Sequence, residues 1–346
     1  MGLRDEIFEQ PDVLRRLISG QWSNIQRIAQ ALRSREINYI FLTARGTSDH
    51  AGLYAKYLWA AANQLPIALA APSLFSIYER PPRLDNTLVV GISQSGQSPD
   101  IVSVMTEGRR QGAPTLAITN APDSPLAETS DWVIDVCAGP ELAVAATKSY
   151  TAELAAIALL SVAMNEGDGA RLAALQRVPD AVDRILALDG DIATIAERYR
   201  YMRQCVVLGR GYNYATAYEW ALKLKELTYT VAAPYSSADF QHGPVAMVAQ
   251  GFPVLSLMPS GAVFDDLMVL MKRLKHDHQV ELLVLSNEEA ALILADRAVP
   301  LPADLPEWLS PLVSIVPAQL FCYHLTRAKG FDTEQPRMLS KVTKTA

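Results

Sequence analysis

The sequence predicts an α/β protein of two tandem domains, each a doubly wound parallel sheet flanked by helices. Three observations point there. From residue 37 onward, short apolar runs alternate with longer amphipathic segments, the pattern of buried parallel strands joined by helices. The alternation gives way to a polar helical stretch and then starts again. The chain has 346 residues, half of them hydrophobic, which exceeds one ordinary core and suits two.

The elements follow in order. Residues 1–34 read as an N-terminal arm and helix, with Val13, Leu14, Leu17 and Ile18 at helical spacing. Residues 35–175 form the first domain, with strands expected at 39–43, 87–93, 115–119 and 132–136. The apolar stretch 154–164 is too short to span a bilayer and reads as a buried helix. A polar helical stretch from about residue 167 supplies the connector at 176–200. Residues 201–330 form the second domain, with strands expected at 205–208, 253–258 and 280–285. Four prolines (Pro300, Pro302, Pro306, Pro311) mark a loop, helix returns at 312–329, and 331–346 is a polar C-terminal tail. The halves share a signature: Arg45-Gly46 and Arg210-Gly211 each follow an apolar strand and precede a helix, as in a diverged repeat.

Bulk properties narrow the function. A net charge of −6 argues against nucleic-acid binding, which needs a basic face. Cys137, Cys205 and Cys322 sit in apolar surroundings without metal-ligand spacing and read as buried free thiols of a reducing compartment. The first ten residues are charged and polar, unlike a signal peptide. No metal-ligand cluster is visible, so no metal is expected, and the reaction expected below needs no organic cofactor. A cytoplasmic protein with no membrane contact is the expectation.

The most informative stretch is Gly91-Ile-Ser-Gln-Ser-Gly-Gln-Ser-Pro-Asp100. A buried strand feeds a Ser/Gly-rich turn, Ser98 suits an N-cap, and Pro99 suits the first helical position. Free backbone amides at a helix N-terminus attract anions, and Ser93, Gln94, Ser95 and Ser98 all have donors for a phosphate. The same residues also suit an ordinary strand-to-helix turn. Neither a Walker loop nor a dinucleotide fingerprint is present. A second polar turn, Gly46-Thr47-Ser48, follows the first strand and reaches toward the same ligand.

The second half holds acid–base candidates. Glu219, Lys223 and Glu226 are spaced four and three apart and share one helix face, which suits either a solvated ion-pair face or proton transfer. His242 precedes Gly243-Pro244 on a loop, where an imidazole titrating near neutrality can move protons. The tail carries Lys341 and Lys344.

These blocks, with Val144-Ala-Ala-Thr-Lys148, Ala221-Leu-Lys-Leu-Lys-Glu226 and Gln335-Pro-Arg337, resemble the isomerase half of glutamine–fructose-6-phosphate aminotransferase, over nearly the whole chain. The resemblance implies two SIS (sugar isomerase) domains and a homodimer acting on a small-molecule sugar phosphate. It implies phosphate binding by Ser93, Gln94, Ser95 and Ser98, with Thr47 and Ser48 nearby, and a sugar site lined by Glu141 and the Val144–Ala145 backbone. It implies that Glu226 shuttles a proton between C1 and C2, that Lys223 assists, and that His242 opens the ring, in this family from the neighbouring subunit. Lys341 would lie on a tail over the site; the synthases use it to form an imine.

Four departures from the synthase pattern bear on the reaction. The sequence as it stands leads to the expectation of no glutaminase domain and no N-terminal Cys to release ammonia from glutamine. Arg45 stands where the family has Cys, and Ala146 where it has Ser. Ser98-Pro99-Asp100 is closer to stand-alone SIS deaminases and isomerases. The expected activity is isomerising deamination of glucosamine 6-phosphate to fructose 6-phosphate and ammonia. Alternatives are another amino-sugar-phosphate isomerase, deaminase or deglycase, an ammonia-dependent synthase, and a sugar-phosphate sensor without catalysis.

Overall fold

The computed structural model describes residues 2–165 and 168–341; Lys344 and residue 167, where the connector was expected to begin, lie outside them. The chain forms two compact units. One takes in Asp12–Glu141, Ala146–Gln176 and the chain from Ser340 on; the other takes in the chain up to Pro11, Leu142–Ala145 and Arg177–Leu339.

The first unit is built on strands β1 (Tyr39–Thr43), β2 (Ile67–Leu69), β3 (Thr87–Ser93), β4 (Thr115–Thr119) and β5 (Trp132–Asp135). All are parallel, in the order β2-β1-β3-β4-β5. The central strands β3 and β4 are buried at every residue, as near-continuous apolar runs require when helices cover both faces. Val89, Ala117, Ile101, Val104 and Met105 share one core layer, which fixes helix Pro99–Arg110 on the sheet. Helix Lys148–Met164 is apolar all round and buried along nearly its whole length. It packs on helix Thr47–Asn63, where Trp59 donates its indole N–H to the Ile157 carbonyl at 3.0 Å.

The second unit repeats the plan with β6 (Gln204–Gly209), β7 (Val231–Ser236), β8 (Pro253–Leu257), β9 (Glu281–Ser286) and β10 (Arg297–Pro300). Its strands are again all parallel, and its order, read as β7-β6-β8-β9-β10, is that of the first sheet. The two Arg-Gly pairs fall after the matching strands β1 and β6, and both glycines take a left-handed φ, 54° at Gly46 and 59° at Gly211. Helix Ser310–Ala328 lies in the core of this unit, packed by helices Asn213–Thr228, Asp189–Arg198 and Val178–Leu186. Asn213 ties it down: its amide donates to Ser310 Oγ at 2.6 Å, and its carbonyl accepts from Ser314 Oγ at 2.7 Å. The apolar stretch Glu307–Ala328 is long enough to cross a membrane by length and composition, where the sequence reading had singled out only 154–164. It is 89% buried, the mark of a core helix.

Three strands escaped the sequence reading: β2, β7 and β10. All three lie at sheet edges. β2 has three residues, β7 contains Pro234, and β10 ends on Pro300, so each lacks the long apolar run that marks a central strand.

Candidate functional site

In the first sheet the strand order reverses between β1 and β3, and in open α/β sheets ligands bind beyond the carboxyl ends of the strands at that point. The turn after β1 and the turn after β3 are the two singled out from sequence. Thr47 and Ser48 open helix Thr47–Asn63; Ser93 closes β3 and the chain runs through Gln94–Ser98 into helix Pro99–Arg110.

The loop after β3 is shaped by its own hydroxyls. Ser93 Oγ accepts the Gly96 amide at 3.1 Å, and Ser95 Oγ accepts the Gln97 amide at 3.3 Å. Each hydroxyl accepts in these bonds, so its proton is left to donate. Gln94 and Ser95 are half-buried, as is Ser98, which holds the N-cap position with φ −70° and ψ 114° but makes no side-chain cap bond. Gly96 has φ +61°, and a Cβ there would lie 2.0 Å from Ser124 Oγ, so the turn requires glycine. Ser48 is placed differently: it is buried, and its hydroxyl donates to Glu153 Oε1 at 2.9 Å, tying two helices.

Behind this loop, Arg45 and Asp100 form an ion pair with Nε–Oδ2 2.7 Å; the carboxylate is fully buried and the Arg45 side chain is half exposed. Asp100 Oδ1 accepts the Ile101 amide at 2.9 Å. Lys341, also of this unit, reaches Glu141 Oε2 at 2.7 Å. Glu141 in turn accepts the amides of Thr147 and Ser149, both at 3.0 Å, and the Ser149 hydroxyl at 2.8 Å. Burial pushes the Glu141 carboxyl up, but the Lys341 ammonium and the two amides outweigh it and hold it below the usual carboxylate range.

In the second unit, Ala145 is buried and Val144 half-buried, in a short segment anchored at Leu142 and Ala143, whose amides donate to the buried Glu6 carboxylate. Helix Asn213–Thr228 carries the acid–base cluster. Lys223 is almost completely buried between two carboxylates, with Nζ 2.5 Å from Glu226 and 3.4 Å from Glu219. Burial disfavours its charge, but the adjacent Glu226 and Glu219 outweigh it and raise the Lys223 pKa above the usual lysine value. Glu219 is fully buried, whereas Glu226 is 22% exposed. The shared face is therefore a buried ion-pair face, with Glu226 at its wet end. His242 is exposed, in a turn after the short helix Ser237–Phe240, and Gly243 beside it has φ 129°.

Sequence reasoning did not find the partners of these residues: Asp100 for Arg45, Glu153 for Ser48, Glu6 for the segment at Leu142. All are distant in the chain, and spacing carries no trace of them. Among the described residues no cluster of His, Cys, Asp and Glu is arranged to hold a metal ion.

The SIS domain model matches the chain twice, at residues 35–163 and 199–328. Over 341 residues the chain is 33% identical to the glutamine–fructose-6-phosphate aminotransferase [isomerizing] of Pyrococcus horikoshii, covering 97% of this chain and 56% of that protein. The chain thus spans about half the length of the curated relatives it matches. The C-terminal domain of glucosamine–fructose-6-phosphate aminotransferase from Francisella tularensis superposes with a TM-score of 0.87 at 29% identity, covering 96% of this chain and 98% of that one. Glucosamine-6-phosphate deaminase of Thermotoga maritima shares the fold, with a TM-score of 0.77 at 21% identity over 99% of both chains. With two matched domains, the same strand order in both sheets and these relatives, the chain belongs to the SIS domain family and is homologous to the C-terminal, sugar-isomerising part of glutamine–fructose-6-phosphate aminotransferases.

Proposed function

We propose that this chain converts glucosamine 6-phosphate and water to fructose 6-phosphate and ammonia. The observation that carries the reading is the Lys223–Glu226 contact: a carboxylate at the edge of solvent, held at 2.5 Å by a buried ammonium. That pairing suits a group that must take a proton from one carbon and return it to the next, with a fixed cation at hand for the charge that develops.

In this reading Ser93, Gln94, Ser95, Ser98 and Thr47 hold the phosphate and fix the sugar by its unreactive end. His242 opens the ring, in the family resemblance from the neighbouring copy of a dimer. Glu226 removes the C2 proton of the open aldehyde. The electron pair forms the C1–C2 double bond of an enolamine, whose oxygen charge Lys223 stabilises. Glu226 then returns the proton to C1, leaving an imine at C2. Water adds to that imine and ammonia leaves, which balances the reaction. Lys341 is engaged by Glu141, an ion pair that suits a lysine closing the site as a cation.

The named relatives are aminotransferases of fructose 6-phosphate and a deaminase of glucosamine 6-phosphate. What favours release of ammonia is the Ser98-Pro99-Asp100 run, which is closer to stand-alone SIS deaminases and isomerases than to the synthases. The test is purified protein with glucosamine 6-phosphate, assayed for ammonia and fructose 6-phosphate together. Equal appearance of both supports the reading. Product formation only from fructose 6-phosphate and ammonium would reverse its direction, and inertness toward both would overturn it.

A further inference from the structure

The segment Leu142–Ala145 belongs to neither a helix nor a strand, so no helical or sheet ladder sets its conformation. A side chain does so instead. The amides of Leu142 and Ala143, consecutive in the chain, both donate to Oε1 of Glu6, the second at 3.2 Å, and the Ala143 amide also lies 3.3 Å from Oε2. Glu6 is fully buried. A buried carboxylate is costly unless it is well bonded, and two donors converging on one of its oxygens leave their peptide planes little freedom. The helix that presents it, Leu3–Phe8, is itself fixed. Leu3 and Ile7 are buried, Arg4 pairs with Asp189 at 2.7 Å, and the Leu3 amide donates to Glu334 Oε2 at 3.0 Å.

We propose that Glu6 is a positioning residue for the sugar: through the amides of Leu142 and Ala143 it holds the backbone of Val144 and Ala145, the next two residues, in the form that lines the sugar site. The proposal rests on reading that backbone as part of the sugar site of a sugar-phosphate enzyme, and it adds a residue that touches no substrate. Valine and alanine side chains carry no polar atom, so the polar groups these two residues offer a sugar are those of the backbone. Their direction is inherited from the peptide planes that Glu6 fixes. The same helix supplies an internal control. Arg4 secures it at another point, through Asp189, whose carboxylate also meets His324 at 2.6 Å, and this pairing does not involve the segment.

Lost positioning and general loosening of the fold give different patterns of affinity. Titration calorimetry of the full chain with fructose 6-phosphate, and separately with inorganic phosphate, reads them. Inorganic phosphate needs only the loop at residues 93–98, whereas fructose 6-phosphate also needs the lining of the sugar site. Glu6→Ala removes the acceptor of both amides and should weaken fructose 6-phosphate about tenfold or more, with phosphate affinity unchanged. Glu6→Gln keeps an acceptor oxygen without the charge and should fall between, about threefold to tenfold weaker than the parent. Arg4→Met should bind both ligands as the unaltered chain does.

If Glu6→Ala does not fold, Glu6→Gln decides the matter: weaker binding of fructose 6-phosphate with parental binding of phosphate supports the positioning role, and parental binding of both overturns it. Parental binding of fructose 6-phosphate by Glu6→Ala, an equal loss of both ligands, or the same loss in Arg4→Met would also overturn it and leave the sugar-phosphate reading intact. Failure of the unaltered chain to bind fructose 6-phosphate would overturn that reading, and this proposal with it.

Discussion

Glu141 and Lys341 stand 200 positions apart in sequence, and their side chains meet at 2.7 Å with the carboxylate fully buried. The same carboxylate receives the amides of Thr147 and Ser149, so one residue anchors both the entry to helix Lys148–Met164 and the start of the tail. Its folded pKa lies below the usual value of 4.5. Its contribution to stability is therefore fully present above that value and is lost as pH falls through the lower folded one. Thermal unfolding of Glu141→Gln and the parent should differ most near neutrality and converge in acid. Acid limbs that run parallel would refute the assignment.

Lys223 poses the opposite sign. Its pKa is raised, so its stabilising charge is present below the usual lysine value of 10.5 and is lost only as pH rises through the folded one. Lys223→Met removes the cation that the buried Glu219 meets at 3.4 Å and should cost about 3 kcal/mol or more in denaturant unfolding. Glu219→Gln/Lys223→Met should recover most of that loss. Single and double variants of equal stability would show that the cluster does not depend on charge pairing.

Glu226→Gln is the complementary change. It keeps the Lys223–Glu219 pair, so the fold should hold, while turnover of glucosamine 6-phosphate should fall by about 10²–10⁴, the range for loss of a positioned acid–base group. Affinity for fructose 6-phosphate should change little. Near-parental turnover would remove Glu226 from the proton path.

The central strands, and with them the turns after β1 and β3, were legible because β3, β4, β6 and β8 are runs of apolar residues that only a sheet covered on both faces explains. Three of the four edge strands were not, since β2, β7 and β10 are short or carry proline, whereas the edge strand β5 was. Of the candidate residues, Glu219, Lys223 and Glu226 were legible as a cluster because helical spacing places them together. That the face is buried was not, because it depends on packing against helix Ser310–Ala328. The inward role of Ser48 and the Arg45–Asp100 bond depend on pairings across 105 and 55 residues, which no local pattern encodes.

The three cysteines give a simple check on packing. Burial raises the Cys205 thiol to about 12 and pushes Cys322 well above the ordinary thiol value, so both should resist alkylation near neutral pH. Cys137 is only half-buried, and burial beside Asp135 raises its thiol as well. Titration of the native protein with a thiol reagent should show one slow reaction, at Cys137, and three rapid ones after unfolding. Fast labelling of Cys205 or Cys322 in the native state would contradict the core of the second unit.

Gly96 makes the strictest demand on the proposed phosphate loop. Its φ of +61° disfavours any residue with a Cβ, and that Cβ would lie 2.0 Å from Ser124 Oγ and 2.5 Å from Ser124 Cβ. The Leu126 amide also donates to the Gly96 carbonyl at 3.2 Å, so the turn cannot move away without releasing helix Pro125–Glu128. Gly96→Ala should therefore lower stability by about 1–3 kcal/mol and displace the hydroxyls of Ser93 and Ser95 together. Removing Ser124 Oγ alone leaves the 2.5 Å overlap in place, so Gly96→Ala/Ser124→Ala should regain little. Binding of inorganic phosphate is the sensitive readout, because it needs the loop but not the acid–base cluster. A Gly96→Ala protein that folds and binds phosphate as the parent does would show that the phosphate site lies elsewhere.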